Sequence, residues 1–286
     1  QLFAQIPGGH FYIAQPQWPE KLTAKITVLD LGAGAAVHLR TGGADWLVDC
    51  GSERTYESLV REYLHWAGVN RLSGLLLTHG DSLHIGGAAE LLRDFPRVRL
   101  IDNPAPDRSN IHQRLQRLFR ERGIKPTDLA AGDSFHLSGE VTTHVLFPPR
   151  SFSAPIADDQ ACVLQLVLSS GTRVLLTSDS GIKTEDQLLR RNADLHSDVW
   201  IKGQHHSGNS GSDGFLDAVQ PRLIIATSRD FPEYERIDDK WAEDVRARGI
   251  KLFRQDETGA ATLRFGPHGW EAQSYLTGET FRSSSP

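Results

Sequence analysis

The chain of 286 residues contains no methionine, not even at position 1, and only two cysteines. A full translation product starts with methionine, so the sequence reads as a processed protein or as a segment of a longer one. No apolar run reaches the ~20 residues that a membrane-spanning helix needs. The opening Gln1-Leu2-Phe3-Ala4 has neither the basic start nor the apolar stretch of a secretory signal. Both absences concern this stretch alone and leave a longer parent chain open. Cys50 and Cys162 each lie in an apolar, strand-like run. Two small buried residues or a disulfide both fit, and two cysteines define no redox compartment. Positive charge is in deficit: 31 Lys and Arg against 36 Asp and Glu give a net charge of −5. That argues against a generally basic nucleic-acid binder but leaves room for a local basic patch. What remains is ordinary for a soluble globular protein, with 39% hydrophobic and 23% charged residues. The length fits one large α/β domain or two small ones.

Residues 1–23, rich in Pro, Gly and Gln, predict an irregular lead-in, and 279–286 predict a disordered tail. Between them, period-2 and all-apolar runs predict strands at 25–31, 35–40, 45–49, 74–78, 98–101, 141–147, 162–168, 173–177, 198–202, 223–227, 250–253 and 260–265. Helical spacing of Tyr56, Leu59, Val60, Tyr63 and Leu64 predicts a helix closed by Gly68. Further helices are expected at 86–95, 111–122, 184–191 and 239–248, the third opened by a capping box at Thr184-Glu185-Asp186-Gln187. No repeat and no linker interrupts the pattern. It predicts one α+β domain over 24–278, two sheets packed together with helices outside.

One stretch carries the most chemistry. Thr78-His79-Gly80-Asp81-Ser82-Leu83-His84-Ile85-Gly86-Gly87 follows directly on the apolar run Leu75-Leu76-Leu77. Imidazoles and a carboxylate crowded at the end of a buried strand suit zinc or manganese. Other strand ends repeat the theme with Asp49, Asp179 and His205-His206. Taken singly, an aspartate after a strand is more often a turn former. Four such ends of metal-ligand type point to a shared centre. Leu83 is the odd member, an apolar group inside the cluster.

These motifs, in this order, resemble the metallo-β-lactamase fold superfamily, and within it the C-terminal hydrolase-like domain of ComEC-type DNA-uptake (competence) proteins. Leu29-Asp30-Leu31-Gly32-Ala33-Gly34-Ala35-Ala36 is similar to that group's opening LDVGQGDA, and Leu47-Val48-Asp49-Cys50-Gly51 to its LIDTG. The segment 79–87 resembles HPDADHIGG, Leu176-Thr177-Ser178-Asp179 resembles LLTGD, and the segment 201–208 resembles LKVGHHGS. Asp256-Glu257-Thr258-Gly259-Ala260 resembles the late TDENGAI. The resemblance implies an αββα sandwich, two mixed β-sheets face to face with helices outside. It also implies one or two divalent transition metals (zinc or manganese) at one edge, whose bound hydroxide attacks a phosphodiester or a carbonyl; two ions would lie about 3.5–4 Å apart. Carried onto this chain, His79 and Asp81 would hold one ion and His84 the second, with Asp179 bridging and His205 or His206 contributing. Asp81 and Asp179 are then the catalytic candidates, and Asp49 and Asp30 the carboxylates behind the ligands. Lys202, Ser207, Asn209 and Ser210, with Ser212, Gly208 and Gly211 in the same loop, would hydrogen-bond a phosphate; plain turn chemistry is the other meaning of that loop.

The departures matter as much. The family's second aspartate in the first cluster is Leu83 here. Its late YGHP is replaced by the histidine-free stretch 231–237, and Phe147 stands where a mid-chain histidine is expected, with His144 three residues early. The second metal is the one most affected, and a degenerate centre would hold none. Arg114, Arg117 and Arg120 on the helix 111–122 would track a nucleic-acid backbone, or form a solvated face. The resemblance therefore implies a metal-dependent phosphodiesterase or nuclease, working on DNA at the extracytoplasmic face of a bacterial membrane beside its parent chain's channel. The alternative is a non-catalytic domain that binds nucleic acid or supports that channel. A standalone hydrolase of small phosphoesters or lactams is a narrower variant of the first.

Overall fold

The sheets are built by segments whose alternate residues are apolar and whose neighbours in sequence are tight turns. In the computed structural model, which describes residues 22–103, 105, 109–208, 210–229 and 236–283, β1 (Ala24–Val28), β2 (Val37–Thr41) and β3 (Ala44–Val48) form an antiparallel meander. The chain then turns parallel: β4 (Gly74–Leu76), β5 (Arg99–Asp102) and β6 (Thr127–Asp128) each follow a helical crossover. The crossovers are α1 (Glu53–Thr55) and α2 (Arg61–Trp66), joined through a wide helical turn at Tyr56–Val60, then α3 (Ser82–Ile85) with α4 (Ala88–Asp94), and α5 (Asn110–Arg122).

The second half repeats the plan. β7 (Ser134–His136), β8 (Val141–Phe147), β9 (Val163–Leu168) and β10 (Arg173–Ser178) run antiparallel. β11 (Val199–Lys202), β12 (Leu223–Ala226) and β13 (Lys251–Arg254) continue parallel. Their crossovers are α6 (Ile182–Arg190), α7 (Asp213–Val219) and α8 (Asp239–Ala247). A short α9 (Gln255–Thr258) returns the chain to the first sheet, where β14 (Ala261–Gly266) pairs with β1, and β15 (Gly269–Ser274) and β16 (Thr280–Arg282) complete the edge. The result is a nine-stranded sheet, β16-β15-β14-β1-β2-β3-β4-β5-β6, against a seven-stranded sheet, β13-β12-β11-β10-β9-β8-β7.

Ile26, Val28, Leu39, Leu164, Leu176, Ile201, Ile225, Phe253 and Leu263 fill the space between the sheets. A second cluster around Tyr56, Leu64, Leu91 and Phe119 seals α1–α5 onto the outer face of the first sheet. A third, around Trp200, Phe215, Leu216 and Val245, does the same for α6–α8. The expected four-layer αββα sandwich is what forms, because each sheet has one face for its partner and one for its helices.

Three expectations need correction or placing. The tail expected to be disordered from 279 contains β16, an edge strand held by pairing to β15 and by Phe281 on Trp270, with ring centroids 5.7 Å apart. α6 starts at Ile182 with Gly181 as its cap, so Thr184 is no N-cap; its hydroxyl instead donates to the Asp159 carbonyl at 3.4 Å. The irregular lead-in lies outside the described residues except for its last two positions.

Gly74 shows how tightly the two-sheet core is packed. A β-carbon there would meet the Trp46 ring at 2.0 Å, and that ring is fixed by its Nε1–H donating to the Leu137 carbonyl at 3.0 Å. Gly74→Ala should therefore cost about 1–3 kcal/mol through overpacking, whereas Gly139→Ala, which meets nothing within 4 Å, should stay within about 0.5 kcal/mol. Urea denaturation of the pair checks this; equal midpoints would refute the packing argument.

Candidate metal centre

The parallel strands of both sheets end at the same edge, and the polar residues that follow them meet there. Asp49 comes directly after β3 with φ of 56°, a left-handed conformation that aspartate tolerates. One carboxylate oxygen, Oδ1, accepts the Thr78 backbone N–H at 2.8 Å. The other, Oδ2, accepts the Thr78 hydroxyl at 2.6 Å and lies 2.8 Å from His84 Nδ1. Thr78 Oγ1 in turn lies 3.0 Å from the hydroxyl of Ser178, on the facing sheet, and 2.9 Å from His79 Nδ1. A hydroxyl has one proton. If Asp49 takes it at the shorter distance, His79 Nδ1 must be the donor toward Thr78, and the lone pair of His79 is left on Nε2.

That nitrogen is buried and has no hydrogen-bond partner; the nearest carboxylate oxygen paired with it is Asp158 Oδ1, at 3.7 Å. Burial lowers the His79 pKa, and the charge of His84 lowers it further, so the ring stays neutral, the form that ligates a metal. His84 behaves oppositely. Burial opposes its charge, but Asp179, 2.8 Å from Nε2, and Asp49 on Nδ1 carry its pKa well above the usual histidine value. Asp179 pays back the same contact: burial would raise its pKa, yet His84 holds it below the ordinary carboxylate range. Its other oxygen lies over the backbone after β11, where a β-carbon on Gly203 would come within 1.7 Å of Oδ1. Only glycine lets the carboxylate sit there.

His205 and His206 follow β11. His205 Nε2 lies 3.3 Å from Asp159 Oδ1, and both atoms are buried with no hydrogen-bond partner. His206 is exposed, with its backbone N–H donating to Asp158 Oδ2 at 2.9 Å and its Nδ1 3.1 Å from the same oxygen. Among the described residues, Asp49, His79 and His84 offer ligand atoms all within 4.8 Å of one another, and so do Asp158, His205 and His206. Buried imidazole and carboxylate atoms without partners are costly. Two of them, His79 Nε2 and Asp159 Oδ1, fit a divalent cation, whereas His205 Nδ1 accepts the Ser207 N–H at 3.2 Å, which puts the proton of a neutral ring on Nε2, facing Asp159.

Asp158 and Asp159 did not stand out in the sequence because they lie where a strand begins, in the single turn Asp158–Gln160 before β9. β9 runs antiparallel to β10, so its start lies beside the end of β10 and its Asp179. An acidic pair ahead of an apolar run is the only signal, and a weak one.

Other expected residues fall elsewhere. Asp81 caps α3, with Oδ1 accepting the Leu83 N–H at 2.6 Å, and belongs to neither ligand group. Asp30 accepts the Gly32 N–H at 3.0 Å and lines a groove beside β1 and β14, not the centre. Ser207 Oγ lies 2.7 Å from His205 Nδ1, so it positions an imidazole. Lys202 is buried with its ammonium 5.0 Å from the Trp241 ring centroid, and burial pushes its pKa down to about 8 despite Glu185 and Asp179. Asn209 lies outside the described residues, as do positions 231–235. Phe147 is core, packed against Phe152, and His144 is exposed on β8, so neither replaces the missing mid-chain histidine. Arg114, Arg117 and Arg120 are exposed on the side of α5 away from buried Leu115 and Phe119. Cys50 and Cys162 are free and buried.

Comparison with known proteins agrees with this geometry. Residues 29–146 match the metallo-beta-lactamase superfamily. Over 265 residues the chain is 31% identical to competence protein ComA of Neisseria gonorrhoeae, covering 92% of this chain and 35% of that protein. ComE operon protein 3 of Bacillus subtilis is 23% identical over 73% of this chain and 26% of its own length. Recombination protein 2 of Haemophilus influenzae is 29% identical over 76% of this chain and 25% of its own. The chain thus spans about a third or less of the curated relatives it matches. Among solved structures, the metallo-beta-lactamase fold protein YhfI from Bacillus subtilis superposes with a TM-score of 0.57 at 16% identity, covering 82% of this chain and 96% of that one.

The His84 contacts make a pH prediction for the metal-free protein. With the folded pKa raised, the folded state holds a proton above pH ~6.5 that the unfolded chain releases. The stabilisation is therefore complete below that pH and fades as pH rises through the folded value, by up to about 1.4 kcal/mol per unit. The useful window is pH 6.5–8, since above about 8 the depressed Lys202 adds the opposite slope. Urea titrations should show stability falling across this window in the wild type and the fall reduced in His84→Gln; parallel curves would remove His84 as its source.

Proposed function

Because the chain carries a metallo-β-lactamase superfamily domain, we propose that it is a metal-dependent phosphodiesterase, the nuclease part of a DNA-uptake protein acting on extracytoplasmic DNA beside its parent chain's membrane channel. The observation that carries this reading is the pair of buried, partnerless ligand atoms on His79 and Asp159. A relative named as a competence protein supports the DNA-uptake part. No helix among the described residues is long and apolar enough to cross a membrane.

His79, Asp158 and Asp159 would hold the ion, zinc or manganese, joined by His205 once the ion displaces its Nε2 proton, with His206 at the exposed rim; His84, with Asp49 on Nδ1 and Asp179 on Nε2, would hold those carboxylates in place. The ion would supply Lewis-acid polarisation of the phosphoryl group and of water. Asp179, kept ionised by His84, has an oxygen suited to orient water and accept its proton. Asp49 fixes His84 through Nδ1 and, through Thr78, the tautomer of His79. The exposed Arg114, Arg117 and Arg120 offer phosphate contacts along the flank of α5.

Leu83 and Phe147 favour a second reading, a non-catalytic domain that binds nucleic acid or supports transport, because each removes a ligand the family uses. Asp158 and Asp159 weigh against it by placing carboxylates at the same edge.

Metal analysis of the gently purified chain decides between the two. The expected result is at least one transition-metal ion per chain, DNA cleavage with added manganese or zinc, and a loss of both in Asp159→Ala. A metal-free protein that stays inert when metal is supplied would end the catalytic reading. Leu83→Asp should raise the metal stoichiometry; an unchanged value would show that the second half of the centre has diverged beyond that position.

A further inference from the structure

A recess of about 230 Å³ is built from residues on either side of His205-His206 in the chain, with Lys202, Gln204, Ser210, Ser212, Asp238 and Trp241 in its lining. Lys202 is 2% exposed, and its ammonium faces aromatic rings, 5.0 Å from the Trp241 centroid and 6.0 Å from that of Trp200. Among the described residues no hydrogen bond or ion pair reaches it. Asp179 is engaged by His84. Glu185 is committed elsewhere, accepting the backbone N–H groups of Gly211 at 2.5 Å and Ser212 at 3.0 Å. A buried ammonium without a hydrogen-bonded counterion is expensive to keep. A second polar atom in the same lining is also left over: Ser210 Oγ is buried with no partner. Asp238, the one carboxylate among the described lining residues, caps α8, its Oδ1 accepting the Trp241 N–H at 2.8 Å.

We propose that this recess is a phosphate subsite, in which Lys202 and Ser210 hold a phosphate group of the substrate beside the metal centre. The volume is below the roughly 300 Å³ at which pockets for drug-sized ligands begin, so it suits one small anionic group. An ammonium is a point-charge partner for phosphate, and a hydroxyl adds a directed donor. Glu185 holds the 211–212 backbone in shape, and its charge acts on the Lys202 ammonium without a hydrogen bond to it. The inference rests on the phosphodiester reading above and names how that substrate is gripped.

Inorganic phosphate is the probe, titrated into the purified protein before and after chelation and followed by calorimetry and tryptophan fluorescence. Phosphate should bind the chelated protein, and Lys202→Gln should weaken it by about tenfold or more, Ser210→Ala by less. Metal content per chain should be unchanged in both variants, and on a DNA substrate KM should rise while kcat is kept. Wild-type phosphate affinity in Lys202→Gln would overturn the subsite, as would acetate binding as tightly as phosphate. If Lys202→Gln fails to fold, Ser210→Ala decides, and an unchanged affinity there overturns it. Phosphate binding with the expected dependence in a protein that never cuts DNA would leave the subsite standing and remove only the catalytic reading.

Discussion

The buried carboxylate of Asp49 is the contact on which the centre depends. It ties the end of β3 to the end of β4 through the Thr78 N–H and hydroxyl, and to α3 through His84. Thr78 passes the connection across the sandwich to Ser178 at the end of β10. One carboxylate thus fixes the positions of both sheets' strand ends relative to each other, and with them the ring orientations of His79 and His84. Removing the carboxylate would take the partner from several buried donors at once.

Charge alternates outward from that point. His84 is held protonated between two carboxylates, while His79, whose ring centroid is only 4.3 Å from that of His84, is driven neutral by burial and by its charged neighbour. Two imidazoles of one loop therefore have opposite protonation, set by which carboxylates each one touches. The neutral ring points a lone pair at the acidic turn before β9. The arrangement separates a ligand from a proton-holding group within a few ångströms.

The loss of the family's aspartate at Leu83 and histidine at Phe147 reads from the sequence as erosion. In three dimensions the acidic turn Asp158–Gln160 brings carboxylates to the same edge, within ion-pair reach of His79, His205 and His206. Ligands lost from one loop and carboxylates supplied by another leave a centre of different composition, richer in aspartate.

The sequence by itself determined the layered α+β plan, the order of most strands and the identity of the residues at their ends. Apolar runs of strand length and the turns that punctuate them are local signals, and so are motif spacings such as His79 to His84. Four strands escaped notice: β6, β7, β15 and β16 are short or polar; β7, β15 and β16 pair with the strand next to them in the chain, and β6 with β5 across a helical crossover. Asp81 stands out as a ligand by type and spacing, and only the fold shows that one of its oxygens, Oδ1, also caps α3 through the Leu83 N–H. Asp158 and Asp159 became part of the centre only because β9 and β10 are antiparallel, which places one strand's start beside the other's end. Which residues carry chemistry was written locally; which of them meet was decided by strand direction and sheet packing, because a cation site is made of atoms close in space and far apart along the chain.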